Sequence, residues 1–106
     1  MEINISEHAY KRIKQRAGIK NHLAISKLAD DAYDYGIRLE QATSKYERQY
    51  ITQQSKHFNR EVCLYKYQIF IWEDNTLVTM YKAEPEVIRT LIKIKNKQKK
   101  HTNNAA

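Results

Sequence analysis

The chain has 106 residues, which is enough for one domain with a single core and too few for two. Nineteen Lys and Arg residues against twelve Asp and Glu leave a formal net charge of +7. Such a balance is typical of proteins with a polyanionic partner and also of proteins kept soluble by self-repulsion. Two glycines and one proline argue against a disordered chain, a long linker or an all-β fold with many tight turns.

Cysteine content and hydropathy bear on the compartment in which the protein is expected. A lone Cys63 cannot form an internal disulfide, so nothing points to an oxidising environment. No apolar run approaches the ~20 residues needed to span a bilayer, and the N-terminus lacks the apolar core of a signal peptide. We therefore expect a cytoplasmic protein with no membrane partner, made of one domain over residues 1–100 and a disordered tail over 101–106.

The N-terminal half predicts three helices, over residues 6–17, 21–36 and 44 to about 54. Ser6 is a good N-cap for the first helix, and Gly18 supplies its left-handed stop. Gly36 ends the second helix. The third begins at Ser44, where Ser44 and Glu47 have the spacing of a capping box, and it is the shortest of the three.

The pattern then changes to β-branched and aromatic residues, which predicts strands over 61–65, 67–72 and 76–81. Turn signals between them, a tight one at Lys66 and another after residue 73, join the strands into an antiparallel meander. Alternation places Leu77, Thr79 and Tyr81 on one face of the last strand.

Pro85 can open a final helix, whose apolar side gives way to lysines towards its end. The predicted fold class is therefore α+β: three N-terminal helices, a three-stranded antiparallel β-meander and a C-terminal basic helix.

His8, Arg12 and Arg16 recur at every fourth residue of the first helix, so they span an arc of roughly 80° and form one stripe. The stripe lies at the border of the apolar face, where side chains can reach over a neighbouring element. One interpretation is an anion site in which the arginines hold a phosphate and His8 moves a proton. The other is an exposed cationic face, either unpaired or paired with Asp or Glu elsewhere. The same helix uses lysine on its outer side, and lysine does not replace arginine in bidentate phosphate binding.

Thr79 and Tyr81 form the second candidate group, because a hydroxyl pair on one strand face can orient or donate to an oxyanion. Both residue types are also simply good strand formers. The functional interpretation requires the first helix to pack across that face of the sheet.

The helical His-x-x-x-Arg-x-x-x-Arg pattern, followed by strands ending in Leu-Val-Thr-Met-Tyr, resembles small prophage and mobile-element proteins of unknown function. These are similar in turn to the barnase/EndoU/colicin/RelE-like group of RNases and toxins. In that group a helical segment packs on an antiparallel sheet, and His, Arg or Lys, Thr or Ser, and Tyr side chains cut RNA without a metal.

The likeness covers the first 18 residues and about residues 62–82. It implies His8 as the helical histidine, Arg12 and Arg16 as the helical cations, and Thr79 as the strand hydroxyl. The second and third helices and the basic last helix depart from the group.

Metal and cofactor motifs are missing from the sequence. The four histidines and Cys63 show no CxxC, HxxxH or HExxH spacing, so we expect no metal site, and we interpret His22 and His57 as structural. No glycine-rich loop is present to hold a nucleotide cofactor. We therefore expect no cofactor.

Other Lys and Arg residues are candidates for nucleic-acid binding. Lysines near the end of the chain either follow a nucleic-acid backbone or offset the helix dipole and solubilise the terminus. If the two basic ends of the chain meet on one side of the sheet, they form a single basic surface. The residues we expect to contact nucleic acid are Lys11, Arg89, Lys93 and Lys97.

Two classes of function follow. The first is an RNA-binding protein with metal-independent, RelE-like endoribonuclease activity, in which His8 acts as base or acid at the 2′-hydroxyl. Arg12 and Arg16 then stabilise the phosphorane, and Thr79 or Tyr81 orients the phosphate. The second is a phage or mobile-element inhibitor of a bacterial defence ribonucleoprotein, similar to an anti-CRISPR protein, which acts by binding and not by catalysis. The sequence leaves the oligomeric state open.

Overall fold

The computed structural model describes residues 3–105 of the chain, with side chains over residues 3–98. Over this range it holds four α-helices and one four-stranded sheet in the order β1-β4-β3-β2. The elements are β1 (Asn4–Ile5), α1 (Glu7–Ala17), α2 (His22–Tyr35), a 3₁₀ turn (Leu39–Gln41), α3 (Lys45–Phe58), β2 (Glu61–Tyr65), β3 (Gln68–Glu73), β4 (Thr76–Lys82) and α4 (Pro85–Ala105). The α+β class is confirmed. The tail predicted for 101–106 lies where side chains are not described, with residue 106 outside the described range, and stays a prediction.

The sheet has a strand that the sequence pattern does not reveal. β1 pairs in parallel with β4 at Thr76 and Leu77 and turns the antiparallel meander of β2, β3 and β4 into a mixed sheet. Two residues are too few for an alternating pattern, so the prediction of three strands was wrong by this one. β1 leads through Ser6 directly into α1, which fixes the start of that helix beside β4.

The sheet is buried on both faces. α1 and α2 cover one face and α3 and α4 cover the other, so each face has its own apolar core. The first core contains Ala9, Ile13, Ile25, Ala29, Ala32, Cys63, Phe70, Trp72, Leu77 and Met80. The second contains Tyr50, Ile51, Val62, Leu64, Ile69, Ile71, Ala83 and Leu91. Burial on both faces explains why β3 is almost continuously apolar.

A register shift in β4 changes which side chains share a face. Ile71 pairs with Thr79 whereas Trp72 pairs with Leu77, so Val78 is an extra residue in β4. Leu77 therefore packs in the core under α1 and α2, while Tyr81 packs against the other core. The prediction that Leu77 lies on the same face as Thr79 and Tyr81 was wrong, because a bulge reverses the alternation.

The predicted turns are confirmed. Lys66 and Tyr67 have φ values of 50° and 62° and form the two-residue loop between β2 and β3, as a type I′ hairpin requires. Asp74, with φ 55°, begins the loop between β3 and β4. Both hairpins are thus specified locally, which fixes the register of the meander.

Two helix boundaries follow the prediction, although the second has a different cause. Ser6 accepts the Ala9 N–H at the start of α1, and Gly18 ends α1 with φ 68°, in the left-handed region. Gly36 ends α2 with φ −62°, so a left-handed stop is not the reason for this glycine. A Cβ there would lie 2.3 Å from the carbonyl oxygen of Ala32, which only glycine avoids.

α3 is longer than predicted. It runs to Phe58, one turn past the expected end near Gln54, and stops at Asn59 with φ 52°. At its start Ser44 accepts the Glu47 N–H, but the Glu47 carboxylate accepts from the backbone N–H of Thr43. The predicted capping box is therefore displaced by one residue. The additional turn extends α3 to the edge of β4.

Candidate functional site

The edge of β4 is open beyond its short pairing with β1. In the described chain, residues 79–82 of β4 have a strand partner only on the β3 side, and Val78 is the unpaired residue of the bulge. Side chains bind the outward carbonyl groups instead: the Ser6 hydroxyl donates to the Val78 oxygen at 3.0 Å, and the Arg16 Nη1 donates to the Met80 oxygen at 3.0 Å. These bonds satisfy an exposed strand edge and place α1 along it.

A groove of about 460 Å³ lies along this edge, between α1 and the end of α3. We call it the edge groove. It is lined by His8, Arg12, Arg16, Gln54, His57, Phe58, Thr79 and Tyr81. The structure therefore brings all five residues predicted as catalytic to one surface, although they come from two elements far apart in the chain.

The positive charge of the edge groove is not neutralised by an acid. None of its lining residues carries a carboxylate. The ion pairs formed by the described residues lie elsewhere: Lys27–Asp31, Arg38–Glu61 and Arg60–Glu73. Among the described residues the stripe is therefore not paired with acids, and the alternative of an exposed cationic face stays open because His8 and Arg16 are exposed.

His8 and Arg12 contact each other within the groove. The Arg12 Nε donates to the His8 Nε2 at 3.3 Å, and its Nη1 donates to Gln15 at 3.3 Å. The His8 Nε2 is therefore the acceptor atom on the side of the ring that faces the arginine.

The hydroxyl groups of Thr79 and Tyr81 differ in their hydrogen bonding. Thr79 is half-buried, and its hydroxyl has no hydrogen-bond partner among the described residues. The Tyr81 hydroxyl donates to the Gln54 side chain. Burial, and then the charge of Glu84, raise the pKa of Tyr81 to about 12. Tyr81 therefore stays protonated at neutral pH and contributes a donor and an aromatic wall.

His57 is a groove residue that the sequence analysis missed. It is exposed in the last turn of α3, and its ring lies 4.7 Å from that of Phe58, which is 5.8 Å from Tyr81. The predicted α3 ended one turn too early to place His57 beside the stripe of α1, and the interpretation of His57 as structural stays a prediction. The stripe from Tyr50 through Gln54 to Phe58, followed by a stop residue, was the signal for a longer helix.

The cations expected to contact nucleic acid do not line the edge groove. Lys11 is exposed on α1, while Arg89, Lys93 and Lys97 are exposed on α4 at a spacing of four residues. Among the described residues, α1 and α4 cover opposite faces of the sheet, so Lys11 and the three cations of α4 lie on different helices of the two faces. The roles of these four residues stay predictions.

Cys63 and His22 lie outside the groove. Cys63 is buried, accepts the Trp72 Nε1–H at 3.2 Å, and its burial raises the pKa of the thiol to about 11. His22 is exposed and its ring lies 4.5 Å from that of Tyr10. In residues 3–98 no three His, Cys, Asp or Glu side chains cluster in a way that could hold a metal ion. The described helices include none with the length and apolar character needed to cross a bilayer.

A second cavity, of about 450 Å³, lies between α4 and the hairpin of β2 and β3. Aliphatic and tyrosine side chains form most of its wall, with Lys66 and Lys95 among the lining residues. Its carboxylate, Glu47, is nearly buried and already accepts the backbone N–H of Thr43. The cavity has no histidine or arginine, so the edge groove is the better candidate for phosphate chemistry.

Comparisons with protein-family models, with curated proteins and with solved structures found no match. The chemistry of the edge groove therefore has to be interpreted from its own side chains. Two arginines, two imidazoles, two hydroxyls and two aromatic rings are a set that suits a phosphodiester with an attached base.

Proposed function

We propose that the chain binds RNA in the edge groove and cleaves it without a metal ion, as a RelE-like endoribonuclease. The observation that carries the proposal is the meeting of His8, Arg12, Arg16, Thr79 and Tyr81 on one groove whose lining includes no carboxylate. Such a groove attracts an anion, offers forked donors to its oxygens, and holds a side chain that can exchange a proton at neutral pH.

The reaction is an internal transesterification. The 2′-oxygen forms a bond to the neighbouring phosphorus while the bond from phosphorus to the 5′-oxygen breaks, which leaves a 2′,3′-cyclic phosphate. His8 takes the proton of the 2′-hydroxyl through its Nε2 lone pair. Arg12 and Arg16 stabilise the charge of the phosphorane, and the phosphate draws the Arg12 donors away from His8. Thr79 orients the phosphate by donating to an oxygen, or Tyr81 does so once its hydroxyl turns away from Gln54.

The aromatic side chains support a single-stranded substrate. Phe58 and Tyr81 form adjacent parts of the groove wall, with ring centroids 5.8 Å apart. Unstacked bases bind such rings, at about 1–3 kcal/mol for each base. The groove is wide open along the sheet edge, so a strand can lie across it without threading.

A fluorescent single-stranded RNA incubated with the protein in EDTA tests the proposal. We expect cleavage of the RNA, no cleavage of DNA of the same sequence because it lacks the 2′-hydroxyl, and a cyclic phosphate end on the product. His8→Ala should lower the rate by about 10²–10⁴-fold, the usual contribution of a general base. His22→Ala is the matched control, since it removes an exposed imidazole outside the groove. Intact RNA, or cleavage only after a metal is added, would contradict the proposal.

A second candidate is the inhibitor of a bacterial defence ribonucleoprotein, encoded by a phage or mobile element and acting by binding. The observation that favours it is the exposed stripe of Arg89, Lys93 and Lys97 on α4, outside the edge groove. Charge reversal on this stripe, such as Lys93→Glu, should then weaken inhibition of the target more than His8→Ala does. For an endoribonuclease the order is reversed: His8→Ala should lower the cleavage rate more than Lys93→Glu does.

A further inference from the structure

We propose that His57 is a second catalytic imidazole of the edge groove, which protonates the leaving 5′-oxygen while His8 takes the proton of the 2′-hydroxyl. This inference rests on the proposed ribonuclease function and adds a residue to it. It predicts that the substrate is a strand whose scissile phosphate lies between α1 and the last turn of α3.

The reaction needs two proton transfers on opposite sides of the phosphorus. The 2′-oxygen attacks from one side and the 5′-oxygen leaves from the other, so one side chain cannot reach both. α1 packs on one face of the sheet and α3 on the other, and the edge groove lies between them. His8 and His57 therefore approach a bound phosphate from different walls.

The other groove residues cannot supply the second proton readily. Arginine keeps its proton at any ordinary pH, and the Thr79 hydroxyl is a weaker acid still than a phenol. The Tyr81 hydroxyl donates a hydrogen bond to the Gln54 side chain, and burial raises the pKa of Tyr81 to about 12. Among the side chains that line the groove, histidine is the type that changes its charge between pH 5 and 8.

Hydrogen bonding assigns the two roles. The His8 Nε2 accepts from Arg12, and acceptance of a proton is what the base must do. His57 has no hydrogen-bond partner among the described residues, which leaves its ring nitrogens able to carry and donate a proton. It also lies at the C-terminal end of α3, where the helix dipole favours a cation.

The charged and titratable groups that face His57 are few. His8, Arg12 and Arg16 of α1 and Tyr81 of β4 line the same groove. Lys56 precedes His57 on α3. A phosphate bound in the groove would place its negative charge among these cations.

The test uses an oligodeoxynucleotide with a single ribonucleotide, in EDTA, in two versions. One has the ordinary 5′-oxygen at the scissile bond, and the other has sulfur in its place, which leaves as a thiolate without needing a proton. With the oxygen substrate His57→Ala and His57→Gln should each lower the rate by about 10²–10⁴-fold. With the sulfur substrate the two His57 variants should regain most of the lost cleavage rate, whereas His8→Ala should cut both substrates slowly. His22→Ala should cut both at the wild-type rate.

The outcomes separate this inference from the function beneath it. If the wild-type protein cuts neither substrate, the ribonuclease proposal and the role of His57 are both overturned. If the wild type cuts and His57→Ala is equally fast, only the role of His57 is lost. Equal slowing of His57→Ala on both substrates would make His57 a binding or positioning residue. Loss of the alkaline limb of the pH–rate profile in His57→Ala would support the acid role.

Discussion

Replacement of Arg12 by alanine tests whether the edge groove, and not the net charge of the chain, attracts RNA. Arg12 is half-buried beside the groove and makes two long hydrogen bonds within α1, at 3.3 Å to His8 and 3.3 Å to Gln15. Exposed contacts of this kind contribute little, so the variant should lose less than about 0.5 kcal/mol of unfolding free energy. An effect on RNA binding can then be ascribed to the groove.

The size of the binding effect follows from what a phosphate gains in the groove. A hydrogen bond to a charged group is worth about 1.5–3 kcal/mol, which corresponds to roughly a ten- to hundredfold rise in Kd when Arg12 is removed. Each phosphate neutralised on a single strand contributes about −0.7 to the slope of log affinity against log salt concentration. The Arg12→Ala slope should therefore be shallower by about 0.7.

Fluorescence anisotropy of a 2′-O-methylated RNA, which cannot be cut, measures both quantities across a series of KCl concentrations. Lys14→Ala is the matched control, because Lys14 is exposed on the same helix and does not line the groove. Arg12→Lys should keep the salt slope and still lose affinity, since an ammonium group cannot make the bidentate contact. If Lys14→Ala and Arg12→Ala change affinity and slope equally, the groove argument is refuted.

Two further predictions concern stability. Gly36→Ala should lower the free energy of unfolding, measured in urea, by about 1–3 kcal/mol. The new Cβ would lie 2.3 Å from the Ala32 carbonyl oxygen and 2.8 Å from the Cys63 sulfur. An unchanged urea midpoint would mean that α2 and β2 separate easily. Burial raises the pKa of Cys63 from 9.0 to about 11, so the unfolded thiol loses its proton first. The contribution of the neutral thiol to the free energy of unfolding is about 2–3 kcal/mol; it is complete below pH 9 and is lost as the pH rises to about 11. Urea titrations of Cys63→Ala should lack this component; equal pH dependence in both proteins would contradict it.

The local features of the fold were predictable because each depends on a few neighbouring residues. Ser6 and Gly18 specify the ends of α1 through a side-chain acceptor and a left-handed backbone. The two hairpins depend on turn residues with positive φ at Lys66 and Asp74. The stripe of His8, Arg12 and Arg16 is a consequence of helical periodicity and needs no knowledge of the tertiary structure.

Features that depend on pairing between distant residues were missed. β1 is too short to show a pattern, and the bulge at Val78 shows only in the register of β4 against β3. The end of α3 was placed near Gln54, which removed His57 from consideration. For β1 and the bulge the deciding contact joins residues far apart in the chain, whereas the end of α3 had a local signal in its stripe and in Asn59 that was not used.

The sequence by itself determined the α+β class, the helical stripe and the hydroxyls of the last strand, because periodicity and turn chemistry act over a few residues. Only the tertiary structure decided that these groups face one another. The two-residue pairing of β1 leaves the rest of the β4 edge open, and α1 and α3 lie on opposite faces of the sheet with their polar borders meeting at that edge. Packing of two apolar helix faces on one sheet, and not any local preference, creates the groove.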